Sequence, residues 1–360
     1  MKIGIITVHR AYNYGSVLQC YALQEYLKGL GHDVWVIDYR QRWTDSMYKP
    51  FSLYYIWHFI KQYDIHSIVG YWRSRKERKY NLGIAGKIFK SFCSRYLRLT
   101  ESCRNKIPQG FDAYIIGSDQ LWSHQCMGGE DKVYMGFFNH SNSSKVIGYA
   151  ISSSTDSLYR IGDKKLKRIL ANFNKISLRE KSNSKIVEQL TGLTLPVTID
   201  PTLLADESIW KPMINAEKWS NRNYIVIYQA RPVSGNPTYL YDKASMMASH
   251  ENGTEIVDLS SMTYSIEDFI SAIKYAKCVF STSFHAVVFS LLMETPCYAV
   301  RLGDGFDVRY VDLLMNVGLE KEIVNIDFVP ESLDIDFKIA KENLVVYREQ
   351  SQRFLAYCVL

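Results

Sequence analysis

No apolar run in this 360-residue sequence approaches the roughly 18 residues that a membrane-spanning helix needs. Its start, Met1-Lys2-Ile3-Gly4-Ile5-Ile6, enters a strand directly and lacks the charged-then-apolar pattern of a secretory leader, so a cytoplasmic protein is expected. No C-x-x-C pair occurs. The seven cysteines, at 20, 93, 103, 126, 278, 297 and 358, form an odd and scattered set in a chain too large to need stapling, and they read as reduced thiols, mostly core. G-x-G-x-x-G, G-x-x-x-x-G-K-[ST], H-E-x-x-H and G-x-S-x-G are all missing, which removes the main support for dinucleotide, P-loop, zincin and serine-hydrolase chemistry. Asp334-Ile-Asp336 is the one D-x-D pair, and it follows Pro330 away from any strand end; it reads as a solvated turn, and no metal or other cofactor is expected. Repeats and low-complexity tracts are lacking too.

What is present is the composition of a globular protein: 47% apolar, 22% charged, mean hydropathy -0.16 and a net charge of +6. The length suits two domains of ordinary size, and two domains give a cleft. Short runs rich in Ile, Val and Tyr alternate with segments of 3.6-residue period, the pattern of parallel α/β sheets. Six strands are predicted in the first half, at residues 3–8, 34–39, 114–117, 145–150, 175–178 and 197–199, and four in the second, at 224–228, 255–259, 278–280 and 297–300. Val17, Cys20, Leu23 and Leu27 mark one helix face. Leu166, Ile169, Leu170 and Phe173 mark a second, and Ile266, Phe269, Ile270 and Ile273, after a capping Ser265, a third.

The polar stretch Lys218 to Asn223 is the expected linker, so residues 1–217 and 218–336 are read as two domains, with 337–360 a long helix packing back across both. An insertion at about 43–107 breaks the rhythm. It mixes Phe51, Tyr54, Trp57 and Trp72 with Arg73, Arg75, Lys76, Arg78 and Lys79, and from Arg73 to Lys106 there are eleven Lys or Arg against only Glu77 and Glu101. The preferred reading is a helical hairpin with a solvated basic end; a peripheral patch on the inner face of a membrane is the alternative. The stretch contains no recognisable nucleic-acid module, and no nucleic-acid partner is expected.

In parallel sheets ligands lie beyond the carboxyl ends of the strands, so the polar residues just after each strand are the candidates. They are His9, Asn13, Tyr14, Gly15 and Ser16; Ser118, Asp119 and Gln120; Ser152 to Ser154; Arg179 and Glu180; Asp200; Gln229 and Arg231; and Ser281, Thr282, Ser283 and His285. The segment from Cys278 to Leu292 is the most informative, because strand, hydroxyl-rich turn and all-apolar helix outline an anion cradle. Helix-start amides carry about half a positive charge, the Thr282 and Ser283 hydroxyls can donate, and His285 is expected in the first turn facing the opening. The bland alternative has Ser283 capping the helix and His285 satisfied in the core. Arg179 is either a fork for carboxylate or phosphate or a structural partner of Glu180 or Asp200; Asp119 is either an acid/base group or a helix N-cap.

Asn13-Tyr-Gly-Ser-Val-Leu-Gln-Cys, Gly117-Ser-Asp-Gln-Leu-Trp, Ser177-Leu-Arg-Glu-Lys-Ser, Asp200-Pro-Thr-Leu-Leu, Ser283-Phe-His-Ala and the run from Arg309 to Leu319 occur in one order and spacing. With these the chain resembles the polysaccharide pyruvyl transferases of bacterial surface-polysaccharide synthesis. The resemblance implies two Rossmann-like halves in a GT-B-like arrangement, an active site between them, and transfer of pyruvate from phosphoenolpyruvate, commonly as a cyclic ketal, to sugar hydroxyls of a capsular, exopolysaccharide or cell-wall precursor, with a lipid-linked oligosaccharide as the expected acceptor. It implies donor contacts at His285 and Arg179. Some members carry Arg where this chain has Ser283, so Arg231, Arg301 or Arg309 is a candidate to supply that contact. In this reading His285 is the acid/base group, Ser283 and the helix start hold the phosphate, and Asp119 or the Asn13 loop holds the sugar. A nucleotide-sugar glycosyltransferase and a non-catalytic sugar-phosphate binder remain the competing readings.

Overall fold

Continuous apolar strands are those buried on both faces, and most of the ten strands among the described residues are of that kind. They are β1 (Lys2–Ile6), β2 (Asp33–Val36), β3 (Ala113–Ile116), β4 (Lys145–Ile151), β5 (Lys175–Leu178), β6 (Tyr224–Tyr228), β7 (Glu255–Asp258), β8 (Val279–Ser281), β9 (Cys297–Val300) and β10 (Ile323–Val324). The computed structural model describes residues 1–49, 51–61, 69–70, 72, 75–231, 233, 236–249, 253–331 and 335–359. Arg73 of the expected basic cluster and Asp334 of the D-x-D pair lie outside them.

The chain divides into two units, Met1–Pro201 with Arg353–Leu360, and Thr202–Gln352. Each holds one parallel sheet, ordered β2-β1-β3-β4-β5 in the first and β10-β9-β8-β6-β7 in the second. Read from the other edge, the second order is β7-β6-β8-β9-β10, so both sheets follow the same plan. Each reverses direction of growth beside its first strand, between β1 and β3 and between β6 and β8. Such switch points are where open α/β sheets bind ligands. The polar stretch Lys218 to Asn223 lies inside the second unit, where Lys218 pairs with Asp268 at 2.8 Å. The last helix, Phe337–Val359, contributes its final turns to the first unit and the rest to the second.

Val197 to Ile199 is not a strand: only Val197 bridges to Leu178. The very short β10 pairs with β9 through two residues, too few to show period-two patterning in the sequence. The predicted helix faces are the buried ones, with Val17, Cys20, Leu23 and Leu27 fully enclosed, and Ser265 caps its helix by accepting from the Asp268 amide at 3.0 Å. In the insertion, helices Arg42–Met47, Leu53–Lys61 and Arg75–Tyr96 replace the strand rhythm, and Leu53, Trp57 and Ile60 are exposed. Among the described residues no helix is long and apolar enough to cross a membrane. All seven cysteines are free thiols.

Glu322 is the second unit's oddity. It is fully enclosed beneath β9, its Oε1 accepts from the Cys297 amide at 3.0 Å, and its Oε2 has no hydrogen-bond partner among the described residues. Burial raises its pKa from 4.5 to about 8, against the opposing pull of the Cys297 amide. Between those two values the folded state keeps a proton that the unfolded chain releases, so this group's contribution to stability is intact below about pH 4.5 and declines as pH rises towards 8. Glu322→Gln keeps the acceptor and removes the charge. Its melting temperature is expected to match wild type near pH 5 and exceed it by several degrees at pH 8. Parallel melting curves across that window check it; a constant offset would show that Glu322 does not titrate there.

Candidate functional site

The Gly117-Ser-Asp-Gln turn leaves β3 at the first unit's switch point. Gly117 has φ 131°, and a Cβ there would lie 2.0 Å from the Tyr149 carbonyl oxygen, so the close approach of β4 demands glycine. Asp119 follows with φ 83°, a left-handed conformation uncommon outside glycine. It is not a helix N-cap. Its Oδ1 accepts from the Gln120 amide at 2.8 Å and its Oδ2 from the Ser16 hydroxyl at 2.6 Å; Ser123 caps the next helix instead. Strained backbone of this kind is concentrated at functional turns.

The neighbouring motif residues are built into the same turn. Ser118 is buried; its hydroxyl donates to the Ala150 carbonyl at 2.7 Å and its amide donates to the Gln19 side-chain oxygen at 3.2 Å. Gln120 is buried and its Nε2 has no hydrogen-bond partner among the described residues, while its Oε1 accepts from the Cys126 thiol at 3.0 Å. Asn13 is the N-cap of helix Tyr14–Gly29, accepting from the Ser16 amide at 3.2 Å, and Tyr14 and Gly15 are buried in that helix's first turn.

Arg179 meets both of its expected structural partners at once. Its Nε donates to Glu180 at 2.9 Å, one terminal nitrogen to Asp200 at 2.7 Å and the other to the Ser152 hydroxyl at 3.0 Å. Ser152 in turn donates to Glu180 at 2.7 Å, and Asn183 donates to the other Glu180 oxygen at 2.8 Å. Burial alone pulls the guanidinium pKa down, but Glu180, Asp200 and Asp119 outweigh it and leave it raised. One cation thus clamps the ends of β4 and β5 to Asp200.

The second unit's switch point carries the turn Ser281 to Ser283 and the helix Phe284–Met293. Its Thr282 hydroxyl does not face outward to donate: it donates to the Arg231 carbonyl and accepts from the Arg231 amide, both at 3.1 Å. Ser283 is the N-cap residue, yet its side chain makes no capping bond, and its amide donates to the Ser281 hydroxyl at 2.9 Å. His285 lies in the first turn, as expected, but it is buried, with 4% of its surface exposed, and its ring packs edge-on against Phe284 at 5.0 Å.

Two of the candidate arginines border this turn. Arg231 donates to the Thr282 carbonyl at 3.0 Å, pairs with Asp304, and reaches Asp307 at 2.7 Å and the Tyr310 hydroxyl at 3.1 Å. Burial pushes the Asp307 carboxyl up, but hydrogen bonds from Tyr310 and Arg231 leave it lowered, so this clamp is ionic. Arg309 takes a different place: its guanidinium lies 5.9 Å from the centre of the Phe284 ring, the ring that also packs on His285. Arg301 is exposed beyond β9.

Among the described residues no group of His, Cys, Asp and Glu has the arrangement of a metal site. Sequence reasoning listed His9 but missed its partner Asp38. His9 Nε2 sits 2.9 Å from Asp38 and Arg10 donates to the same oxygen at 2.6 Å, so β1 and β2 bring together residues far apart in the chain. The signal was that both directly follow adjacent strands.

A search of the curated proteins returns no match. Similar solved structures include a putative UDP-N-acetylglucosamine 2-epimerase from Listeria monocytogenes, at 9% identity over 99% of this chain and 88% of the other, with a TM-score of 0.49. The ADP-heptose heptosyltransferase II of E. coli gives 10% identity over 98% of this chain and all of the other, with a TM-score of 0.36. At such identities and scores these say nothing of chemistry. The sequence itself is more specific: residues 13–304, from the Asn13 cap through both switch points to Asp304, match the family described as polysaccharide pyruvyl transferase, and the chain belongs to that family.

Proposed function

We propose that this protein transfers pyruvate from phosphoenolpyruvate to hydroxyls of a sugar in a surface-polysaccharide precursor, with phosphate as the other product. The observation that carries this reading is the second switch point, where His285 and Arg309 share the Phe284 ring at the start of an apolar helix. A trianionic donor suits that place. Helix-start amides and a guanidinium favour phosphate and carboxylate, and the Ser283 hydroxyl is not used as a cap. Arg179 and Arg231, each held by two carboxylates, act as scaffold of their turns.

The chemistry balances without a further reagent. An acid delivers a proton to the donor's methylene carbon, making it a methyl group as positive charge develops at the neighbouring carbon. A sugar hydroxyl bonds to that carbon and releases its proton. The carbon–oxygen bond to phosphate then breaks, a second hydroxyl of the same sugar adds with loss of its proton, and a cyclic ketal results. His285 is the group proposed to move the protons, and Asp119, held in its strained turn by Ser16, to bind the sugar hydroxyls.

The nucleotide-sugar alternative would use the same helix start for a diphosphate. Ligand protection separates the two, because a ligand at one hundred times its Kd adds about 2.7 kcal/mol of stability. Phosphoenolpyruvate is expected to raise the melting temperature and UDP- or GDP-sugars not to, and phosphate release from phosphoenolpyruvate is expected only with an acceptor sugar from a panel of lipid-linked precursors. Protection by a nucleotide sugar alone would transfer the protein to the glycosyltransferases; binding of phosphoenolpyruvate without release would make it a sensor.

A further inference from the structure

A cavity of about 410 Å³ lies in the first unit, beyond the carboxyl ends of β1 and β2 and under the helix Arg75–Tyr96 of the insertion. Its volume is in the range of about 300–1,000 Å³ usual for small-molecule sites. The short motifs from Asn13, Gly117, Ser177, Asp200, Ser283 and Arg309 contribute no residue to it. Its walls combine three kinds of group. The Tyr12 and Tyr48 rings, 4.4 Å apart, and Phe89, 5.6 Å from Tyr12, form an aromatic side. Asp38 and Asp45 supply acceptors whose positions are fixed: Asp38 by His9 and Arg10, Asp45 by Arg40 and Arg104 at 2.9 and 2.7 Å. At the rim stand Lys49 and Lys90, both exposed and without an ion pair among the described residues.

The helix Arg75–Tyr96 supplies Phe89 to the aromatic side and carries a glycine against Tyr12. Gly86 lies inside Arg75–Tyr96, where glycine costs about 1 kcal/mol against alanine; a Cβ at that position would come 2.8 Å from the Tyr12 hydroxyl. The glycine therefore makes room for the ring that walls the cavity.

We infer that this cavity binds a sugar phosphate. A pyranose has an apolar C–H face that suits an aromatic wall and hydroxyls that donate to fixed carboxylates; a phosphate on the same ring accounts for two lysines that form no ion pair among the described residues. The cavity's lining holds Arg10, Arg40, Lys49 and Lys90 against Asp38 and Asp45, an excess of positive charge that a neutral sugar would leave unused. The inference rests on the transferase reading only in making this sugar phosphate part of the acceptor.

Isothermal titration of the full chain with glucose, galactose, mannose and N-acetylglucosamine 1-phosphates, each beside its parent sugar and beside inorganic phosphate, tests it. At least one sugar phosphate is expected to bind tenfold or more tightly than both of its parts, and the double variant Lys49→Ala/Lys90→Ala is expected to lose that margin while keeping its fold, since both side chains are exposed. Phosphoenolpyruvate titrated into the same two proteins is expected to bind both within twofold. No member with the margin, or a margin kept by the variant, overturns the inference, as does a variant that loses phosphoenolpyruvate by the same factor, which would give the cavity to the donor. Sugar-phosphate binding lost with the lysines, in a protein that never binds phosphoenolpyruvate, supports the cavity and overturns the proposed function instead.

Discussion

Arg179→Met is expected to lower the stability of the protein by about 3–5 kcal/mol, the usual result of removing one partner from a buried ion network. The substitution keeps the length and apolar stem of the side chain but leaves Glu180 and Asp200, both enclosed, facing each other without the cation that joins them. Ser152 loses an incoming donor as well. For a unit of this size 1 kcal/mol moves the melting temperature by roughly 2–4 °C, so a fall on the order of 10 °C is expected. Arg179→Lys should recover only part of it, because one ammonium cannot span two carboxylates and a hydroxyl that a planar fork reaches together. Thermal melts of the three proteins, each with its phosphoenolpyruvate affinity, decide the matter. If Arg179→Met melts with wild type and only donor affinity falls, Arg179 is a donor contact and the clamp is incidental.

The same residue shows how far the sequence could be read. Its place after β5 followed from the apolar run Lys175 to Leu178, and both acidic partners were in view, one adjacent and one after the next apolar run. What a sequence does not display is that both engage simultaneously, since this depends on how Asp200 returns beside β4 and β5 through the single bridge of Val197 to Leu178. Periodicity found nine of the ten strands among the described residues because each carries a short apolar run; β10 has only two paired residues and Val197 to Ile199 pairs too little to be a strand. Thr282 is a case of correct placement and mistaken use. A hydroxyl beside a strand end looks available in one dimension, whereas in the fold the loop carrying Arg231 takes both its donor and its acceptor. The cavity under the insertion was invisible for the opposite reason: it is assembled from β1, β2 and a helix of the segment that breaks the α/β rhythm, and no local spacing joins them.

His285→Gln and His285→Asn are expected to lower turnover per folded molecule by roughly a hundredfold to ten-thousandfold, the range for a lost acid/base group, with phosphoenolpyruvate still protecting the protein against heat. The two replacements retain a hydrogen-bonding amide without an ionisable proton, so a loss common to both points to proton transfer. His285→Ala is a less clean experiment than its position in a first helical turn suggests. Only 4% of the residue is exposed and its ring packs on Phe284, so truncation also opens a void beside a residue that Arg309 covers. Part of the alanine variant's deficit will be a lowered melting temperature, and activity must be scaled to folded protein measured on the same preparation. Arg309→Ala beside it supplies the contrast: losing a charge-assisted contact to the donor should raise KM for phosphoenolpyruvate more than it lowers kcat. A structural histidine predicts another pattern, in which all three His285 variants melt several degrees lower yet turn over within a few fold of wild type per folded molecule. That result would remove His285 from the chemistry and leave the second switch point without its acid/base group.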